Sequence, residues 1–276
     1  MNVTFLGTSS GVPSLTRNVS SLALKLSQSS EVWLFDCGEG TQHQIMKSNI
    51  KSSQIKKIFI THMHGDHIYG LPGLLATLGL SGNSKGIEIY GPSELRDFIN
   101  SSLKSSFCKL SFPLHFVEVE KFASENNILF ESDKVRVNCA CLKHKIPAYG
   151  FRVSEKDKPG VFDIKKAKTL KIAPGPIYSE LKQGKKVVLA DGRSFDGKEF
   201  CGPPKKGECF VYCTDTIFSE SAVSLSKNAD LLVHESTFSQ EDESMAYEKL
   251  HSTTIMAAKT ALLSNAKKLI ITHLSP

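Results

Sequence analysis

A cluster of potential metal ligands constrains this chain more than any other feature. Residues 60–70 read ITHMHGDHIYG and place three histidines and an aspartate within six positions: His62, His64, Asp66 and His67. An extended chain directs His62 and His64 to one side, where both rings can chelate one ion. Asp66 and His67 follow a turn and need not face that ion. Four ligands from six consecutive residues rarely fit one tetrahedral zinc, so the spacing favours two adjacent ions that share ligands from elsewhere.

Three more potential ligands lie directly after predicted strands, where the sites of α/β proteins form. His144 follows VNCACLK, Asp215 follows FVYCT, and His273 follows LIIT. A pair of metal ions also needs a bridging carboxylate. Three other histidines do not meet this strand-end test: His43, His115 and His251.

Short apolar runs separated by Gly and Ser predict many strands, with helices between them. Two of these runs, IKKIFITHMH (55–64) and AKKLIITHLS (266–275), are similar and each delivers a histidine at its carboxyl end. Helical spacing is clearest in STTIMAAKTALLSNA, where three apolar residues share one face: Ile255, Ala258 and Leu262. The order of elements predicts an α/β fold, with two mixed sheets packed face to face and helices outside.

The net positive charge of the chain comes from one segment. The formal net charge is +6, and residues 152–206 hold 14 Lys/Arg and 7 Asp/Glu. This Gly/Pro/Lys-rich stretch predicts an insertion, residues 154–206, within a single domain spanning 1–276, and not a second core. It is either a solvated surface insertion or an arm that holds a polyanion.

The seven cysteines form no CxxC pair, which favours a reducing, cytoplasmic setting. The first residues, MNVTFLGT, predict a strand and not a signal peptide. No apolar run approaches the length of a membrane span.

The motif HMHGDH matches the HxHxDH signature of the metallo-β-lactamase superfamily. The wider pattern resembles tRNase Z (ribonuclease Z), the family of endonucleases that trim the 3′ end of precursor tRNA. Further stretches carry the resemblance, in order, over nearly the whole chain: FLGTSSGVPSLTRNVSS, FDCGEGTQHQ, HKIPAYGFR, PGPIYSELKQG, YCTDT, LLVHESTF, LHSTTIMAA and ITHLSP. It implies the metallo-β-lactamase fold, a four-layer αββα sandwich that carries the inserted arm.

The resemblance also implies two zinc ions per subunit and assigns their ligands. One ion would be held by His62, His64 and His144, and the other by Asp66, His67 and His273, with Asp215 as the bridge. Two zinc ions make water a nucleophile at neutral pH, and the hydrolysis would leave a 3′-hydroxyl on the tRNA.

Three residues receive catalytic roles. Asp66 would accept the proton of the attacking water, His251 would protonate the leaving oxygen, and Glu235 would orient His251. From the residues alone, His251 is as readily a neighbour of a helix cap, and Glu235 a solvated charge at a strand end.

The substrate contacts implied by the resemblance lie in a loop and in the arm. Arg17 and Asn18 belong to a loop that senses the tRNA 3′ end, although Leu15 stands where the family has lysine. Gly175 and Pro176 would help the arm to clamp the tRNA elbow. In the family the arm of one subunit serves the site of the other, which implies a homodimer.

Two other functions remain open. Another hydrolase of the superfamily, such as a thioesterase, lactonase or small phosphodiesterase, would share the ligands but would not need a basic arm. A protein that holds RNA without cutting it would not need the complete set of ligands and acids.

Overall fold

The structure of the chain is a computed structural model that describes residues 1–27, 29–81, 86–123 and 128–275. Contacts within the chain divide it into two compact units. The larger unit comprises Met1–Ser154 and Cys209–Pro276, and the inserted unit comprises Glu155–Glu208.

The larger unit contains two six-stranded sheets. The first sheet is formed, in this order, by β1 (Asn2–Gly7), β2 (Ser21–Lys25), β3 (Val32–Phe35), β4 (Ile55–Phe59), β5 (Ile87–Gly91) and β6 (Leu114–Glu118). The second sheet is formed by β7 (Ile128–Glu131), β8 (Val135–Leu142), β9 (Ala148–Glu155), β12 (Cys209–Cys213), β13 (Leu231–Glu235) and β14 (Leu269–Thr272). Both sheets are mixed: β3 to β6 are parallel and so are β12 to β14, while β1–β2, β2–β3 and β9–β12 pair antiparallel.

Seven helices of the larger unit are described: α1 (Thr41–Lys47), α2 (Gly65–Ile68), α3 (Leu71–Leu80), α4 (Glu94–Ser105), α7 (Glu220–Leu225), α8 (Glu243–Lys249) and α9 (Thr254–Leu263). Two of them begin at a side-chain cap: Ser219 accepts from the Ala222 N–H, and Thr253 accepts from the Met256 N–H. Within the described residues, no helix combines the length and apolar character that crossing a membrane requires.

The alternation of side chains along the strands builds four layers. On β3, Leu34 packs in a cluster with helices α3 and α4, while its neighbour Phe35 packs with residues of the second sheet. On β12, Tyr212 joins the cluster of Phe35, and Val211 packs against α7. Successive side chains of a strand point to opposite faces, so each sheet has one face toward the other sheet and one toward helices. The αββα sandwich predicted for this chain is therefore confirmed.

The predicted helix near the C-terminus is present as α9, but its apolar face was misinterpreted. The face predicted from the spacing is exposed: Ile255, Ala258 and Leu262. The buried side chains are Met256, Ala257 and Thr260. Apolar residues follow both faces of α9, so periodicity alone does not identify the buried one.

The inserted unit has secondary structure and a small core of its own. It contains α5 (Ile164–Thr169), α6 (Pro176–Lys182), and a hairpin of β10 (Lys186–Val188) and β11 (Ser194–Asp196). Its buried apolar residues are Ala167, Ile172, Leu181, Val187 and Phe200. The sequence pattern predicted no core here, because these residues are spread among glycines, prolines and lysines without a regular period.

Candidate metal centre

The ligand-rich loop begins where β4 ends and turns into α2. Nε2 of His62 lies 3.0 Å from Nδ1 of His64. His144, which follows β8, brings its Nε2 to 3.2 Å from the same His64 nitrogen. Three ring nitrogens from two regions of the sequence thus converge on one point.

A second group forms beside the first. Nε2 of His67 lies 3.3 Å from Nε2 of His273 and 3.3 Å from Oδ2 of Asp66. His67 and His273 are 206 positions apart in the sequence, and the carboxyl ends of β4 and β14 bring them together. The ligand atoms of Asp66, His67 and His273 all lie within 4.8 Å of one another.

Asp215 lies between the two groups. Its Oδ2 is 3.4 Å from Nε2 of His62 and 3.8 Å from Nε2 of His144. Its Oδ1 is 3.3 Å from Nε2 of His67 and 3.2 Å from Nε2 of His273. Each oxygen faces a different group, which is the geometry of a carboxylate that bridges two cations.

Four of the five candidate ligand histidines have a hydrogen-bond partner at Nδ1, and this partner orients the ring. The partners are Thr61 Oγ1 for His62 (3.0 Å), Asp36 Oδ2 for His67 (2.8 Å), the Leu250 carbonyl for His144 (3.1 Å) and Thr237 Oγ1 for His273 (2.9 Å). When Nδ1 carries the proton, the lone pair of Nε2 points into the site. His64 is the exception, because its Nδ1 faces the other ligands.

Asp36 is a site residue that sequence reasoning missed. It follows β3 in the stretch FDCGEG and is completely buried. It accepts hydrogen bonds from the Thr61 N–H (2.8 Å), the Tyr212 hydroxyl (3.2 Å) and His67. The strand-end rule that selects Asp215 also fits Asp36, so its position directly after β3 is the signal that could have identified it.

Burial and charge shift the pKa values of several candidate ligands toward the protonation states that bind a metal. Burial lowers the pKa of His62 and His144, so both rings are neutral at neutral pH and offer a lone pair. Burial alone would raise the pKa of Asp215, but its interactions with the neighbouring His273, His67 and His62 hold it well below its usual range. Burial likewise lowers the pKa of His67, yet the charges of Asp215 and Asp36 raise it well above its ordinary value. The buried carboxylates therefore favour a cation at this place.

Three residues of the site have left-handed backbone conformations that are unusual without glycine. The φ angles are 56° at Asp36, 31° at Asp215 and 56° at His273. Such conformations cost about 1–3 kcal/mol each and concentrate at functional sites, where the surrounding structure holds them.

His251 and Glu235 form a pair beside the ligands. Glu235 ends β13, is fully buried, and accepts from Nδ1 of His251 at 2.8 Å. Nε2 of His251 lies 4.0 Å from Oδ2 of Asp215. Burial lowers the pKa of His251, but the hydrogen bond and charge of Glu235 outweigh it and raise the pKa overall. His251 thus lies at the edge of the candidate metal site with its Nδ1 held by Glu235, and its side chain is only 15% exposed.

The side chains of Arg17 and Asn18 bond to groups other than the candidate ligands. Arg17 donates to Thr8 Oγ1 at 3.0 Å, and Asn18 donates to the Glu39 carbonyl at 2.7 Å. The same loop reaches the site through its backbone, because the N–H of Gly11 donates to Oδ2 of Asp66 at 2.8 Å. Within the inserted unit, Gly175 and Pro176 are exposed at the start of α6.

Comparison with known proteins gives this arrangement its class. The protein family described as Anti-Pycsar protein Apyc1 matches residues 1–158. Ribonuclease Z of Prochlorococcus marinus (strain MIT 9301) is 92% identical over 276 residues, which are 100% of this chain and 88% of the relative. The crystal structure of human tRNase Z, short form, superposes with a TM-score of 0.74 at 36% identity and covers 100% of this chain and 93% of that one. The metallo-beta-lactamase fold protein YhfI from Bacillus subtilis gives a TM-score of 0.66 at 18% identity, covering 99% and 86%.

The chain therefore falls in the class of proteins with the metallo-β-lactamase fold, and its site groups histidines and aspartates that could hold a metal ion. Identity over the full chain is high enough to narrow this class to one family. The chain belongs to the ribonuclease Z family, which confirms the resemblance carried by its sequence motifs.

Proposed function

We propose that the chain is a zinc-dependent endoribonuclease that removes the 3′ trailer from precursor tRNA. It hydrolyses the phosphodiester bond near the discriminator base and leaves a 3′-hydroxyl on the tRNA. One observation carries the proposal: seven side chains from four regions of a ribonuclease Z chain converge on two groups that share Asp215.

The donor set fits two zinc ions. Five imidazoles and two carboxylates are ligands that zinc prefers, and four of the rings already have their outer nitrogen bonded. His62, His64 and His144 would hold one ion, Asp66, His67 and His273 the other, and Asp215 both. When bound, the pair of ions supplies a nucleophilic water at neutral pH and stabilises charge on the phosphoryl oxygens.

Asp66 and His251 are placed for the two proton transfers of the reaction, from the attacking water and to the leaving oxygen. Burial raises the pKa of Asp66, but hydrogen bonds from His273 and His67 lower it well below the usual range, so the carboxylate is ionised and can accept a hydrogen bond from the attacking water. Glu235 holds Nδ1 of His251, which leaves Nε2–H to donate to the 3′ oxygen as it leaves. The raised pKa of His251 keeps that proton available at neutral pH.

The inserted unit supplies affinity for the tRNA backbone. Its exposed cations include Lys165, Lys168, Lys171, Lys182, Lys185 and Lys186. Exposed lysines bind phosphates without reading sequence, and the family resemblance gives Gly175 and Pro176 a place in the contact with the tRNA elbow. Arg17 and Asn18 contact the 3′ end near the site.

The working enzyme is a homodimer in which the inserted unit of one subunit holds the tRNA cut by the other. Family resemblance supports this arrangement. A mixed dimer of one subunit lacking residues 160–200 and one subunit with Asp215→Asn should recover about half of the wild-type activity. A homodimer of the subunit lacking residues 160–200, or of the Asp215→Asn subunit, should not recover this activity.

The enzyme acts in the cytoplasm. All seven cysteines are free thiols, and a reducing compartment keeps them so.

A cleavage assay with mapped ends tests the function. Pure protein loaded with zinc should cut precursor tRNA next to the discriminator base and leave a 3′-hydroxyl. Efficient hydrolysis of small esters together with an intact precursor would instead indicate another hydrolase of this fold. Binding of the precursor without cleavage would indicate an RNA-holding protein.

A further inference from the structure

An exposed aromatic ring lies directly on the metal-binding loop. Tyr69 is 65% exposed, and its ring packs against Gly65, which lies between the ligands His64 and Asp66. A Cβ at position 65 would overlap that ring. Gly65 is the first residue of α2 and its φ is not in the left-handed region, so the backbone does not require glycine. A side chain at position 65 would displace the ring, so glycine at this position lets Tyr69 lie against the metal-binding loop.

The ring of Tyr69 is supported on one side and open to solvent. Phe98 of α4 supports it, with ring centroids 6.4 Å apart, and Phe98 itself packs against the core of the larger unit. Among the residues that the structure describes, the Tyr69 hydroxyl has no hydrogen-bond partner. The side chain therefore offers a fixed aromatic surface next to two ligands of the metal site.

Resting on the proposed function, we infer that Tyr69 is the stacking platform for one of the two bases that flank the scissile phosphate. A phosphate at the metal site brings its neighbouring nucleotides beside the loop that carries Gly65. Proteins hold unpaired bases chiefly by stacking them on aromatic side chains, and the support of Gly65 and Phe98 lets the ring do so without further ordering. Stacking needs the ring but not the hydroxyl.

The test combines a side-chain change with removal of a base. Tyr69→Leu keeps an apolar group over Gly65 but has no aromatic face, and Tyr69→Phe restores the ring. Phe107→Leu is the matched control, because Phe107 is also an exposed aromatic residue, at 93%. It follows the end of α4, whereas the start of α4 follows the carboxyl end of β5, so Phe107 is a helix length away from that edge of the sheet. Each protein is assayed on normal precursor tRNA and on precursors with an abasic nucleotide immediately 5′ or 3′ of the cut.

Tyr69→Leu should lower kcat/KM on the normal precursor about tenfold, the factor that stacking of one base is worth, with both metals retained. Tyr69→Phe and Phe107→Leu should match the wild type. At one of the two abasic positions the wild type should lose a similar factor, and Tyr69→Leu should lose nothing more.

A wild-type rate for Tyr69→Leu would overturn the inference. So would losses from Tyr69→Leu and from the missing base that multiply at both abasic positions. Loss of metal from Tyr69→Leu would also overturn it, because the ring would then be a support of the loop. Any of them leaves the proposed function intact as long as the wild type cuts the normal precursor. A wild type that leaves the precursor uncut removes both proposals.

Discussion

The metal site and the inserted unit differ in how their charged groups are held. At the metal site, His67 and His273 meet across 206 positions of sequence, and buried partners such as Asp36 fix the rings. In the inserted unit, some charged side chains pair at the surface, as Arg193 does with Asp191, and most lysines are exposed. Chemistry at a phosphodiester needs fixed distances, whereas attraction of a polyanion needs only the density of charge. Substitutions should therefore abolish function at the first region and weaken it by degrees at the second.

The largest effect is expected at the shared ligand. Asp215→Asn removes the charge that both metal groups face, so less than the full metal content should remain and cleavage should fall by more than about 10³-fold, beyond the loss of one electrostatic donor. Metal analysis and single-turnover cleavage measure the two effects. Asp133→Asn, an exposed acid of the same unit, is the control. Full metal content with near-normal cleavage would show that Asp215 is not the bridge.

His251 should separate proton transfer from metal binding. His251→Ala should reduce turnover by about 10²–10⁴-fold while both metals stay bound, since it removes a general acid and no ligand. His115→Ala, at an exposed histidine of β6, should behave as wild type. Loss of metal from the His251 variant would make it a ligand.

The pH profile tests the partner of His251. An acid works only while protonated, so activity falls as the pH rises through the pKa of His251. Glu235 raises that pKa, and Glu235→Gln should therefore move the alkaline limb of kcat to lower pH. An unchanged limb with reduced activity would show that Glu235 only supports the fold.

Asp36 should have an intermediate effect. Asp36→Asn weakens the orientation of His67 without removing a ligand, so metal affinity or activity should fall by about 10–100-fold. Zinc titration of the metal-free variant distinguishes a loss of metal affinity from a loss of activity. Unchanged affinity and rate would mean that the histidine is held by its packing alone.

The smallest effect is expected in the inserted unit. Alanine at Lys165, Lys168 and Lys171 should raise KM several-fold with kcat unchanged, and each lost phosphate contact should reduce the salt slope by about 0.7–0.9. Alanine at three exposed lysines of the larger unit, Lys104, Lys109 and Lys134, is the matched control. Equal KM values and salt slopes for the two triple variants would make the inserted unit a surface insertion without a part in binding.

The same contrast explains what could be predicted from the sequence. The density of potential ligands in the loop after β4 indicated the site. His144, Asp215 and His273 could then be predicted from their positions directly after strands, because parallel strands deliver their carboxyl ends to one edge of a sheet. Asp36 was missed, since it acts through His67 and resembles an ordinary acid in a turn.

Packing was harder to predict than the convergence of these side chains. On α9 the exposed and buried faces both carry apolar residues, so Ile255 and Met256 cannot be told apart by spacing. In the inserted unit, Leu181 and Phe200 come from separate short elements that no single period connects. Both depend on tertiary contacts that a local pattern does not contain.

We propose that two cations are held around the carboxylate of Asp215. Stepwise addition of zinc to the metal-free enzyme, with precursor cleavage and bound metal measured at each step, tests it most directly. Cleavage should be absent without metal and should reach its maximum at two equivalents per chain. Full cleavage at one equivalent, or any cleavage by the metal-free enzyme, would contradict it.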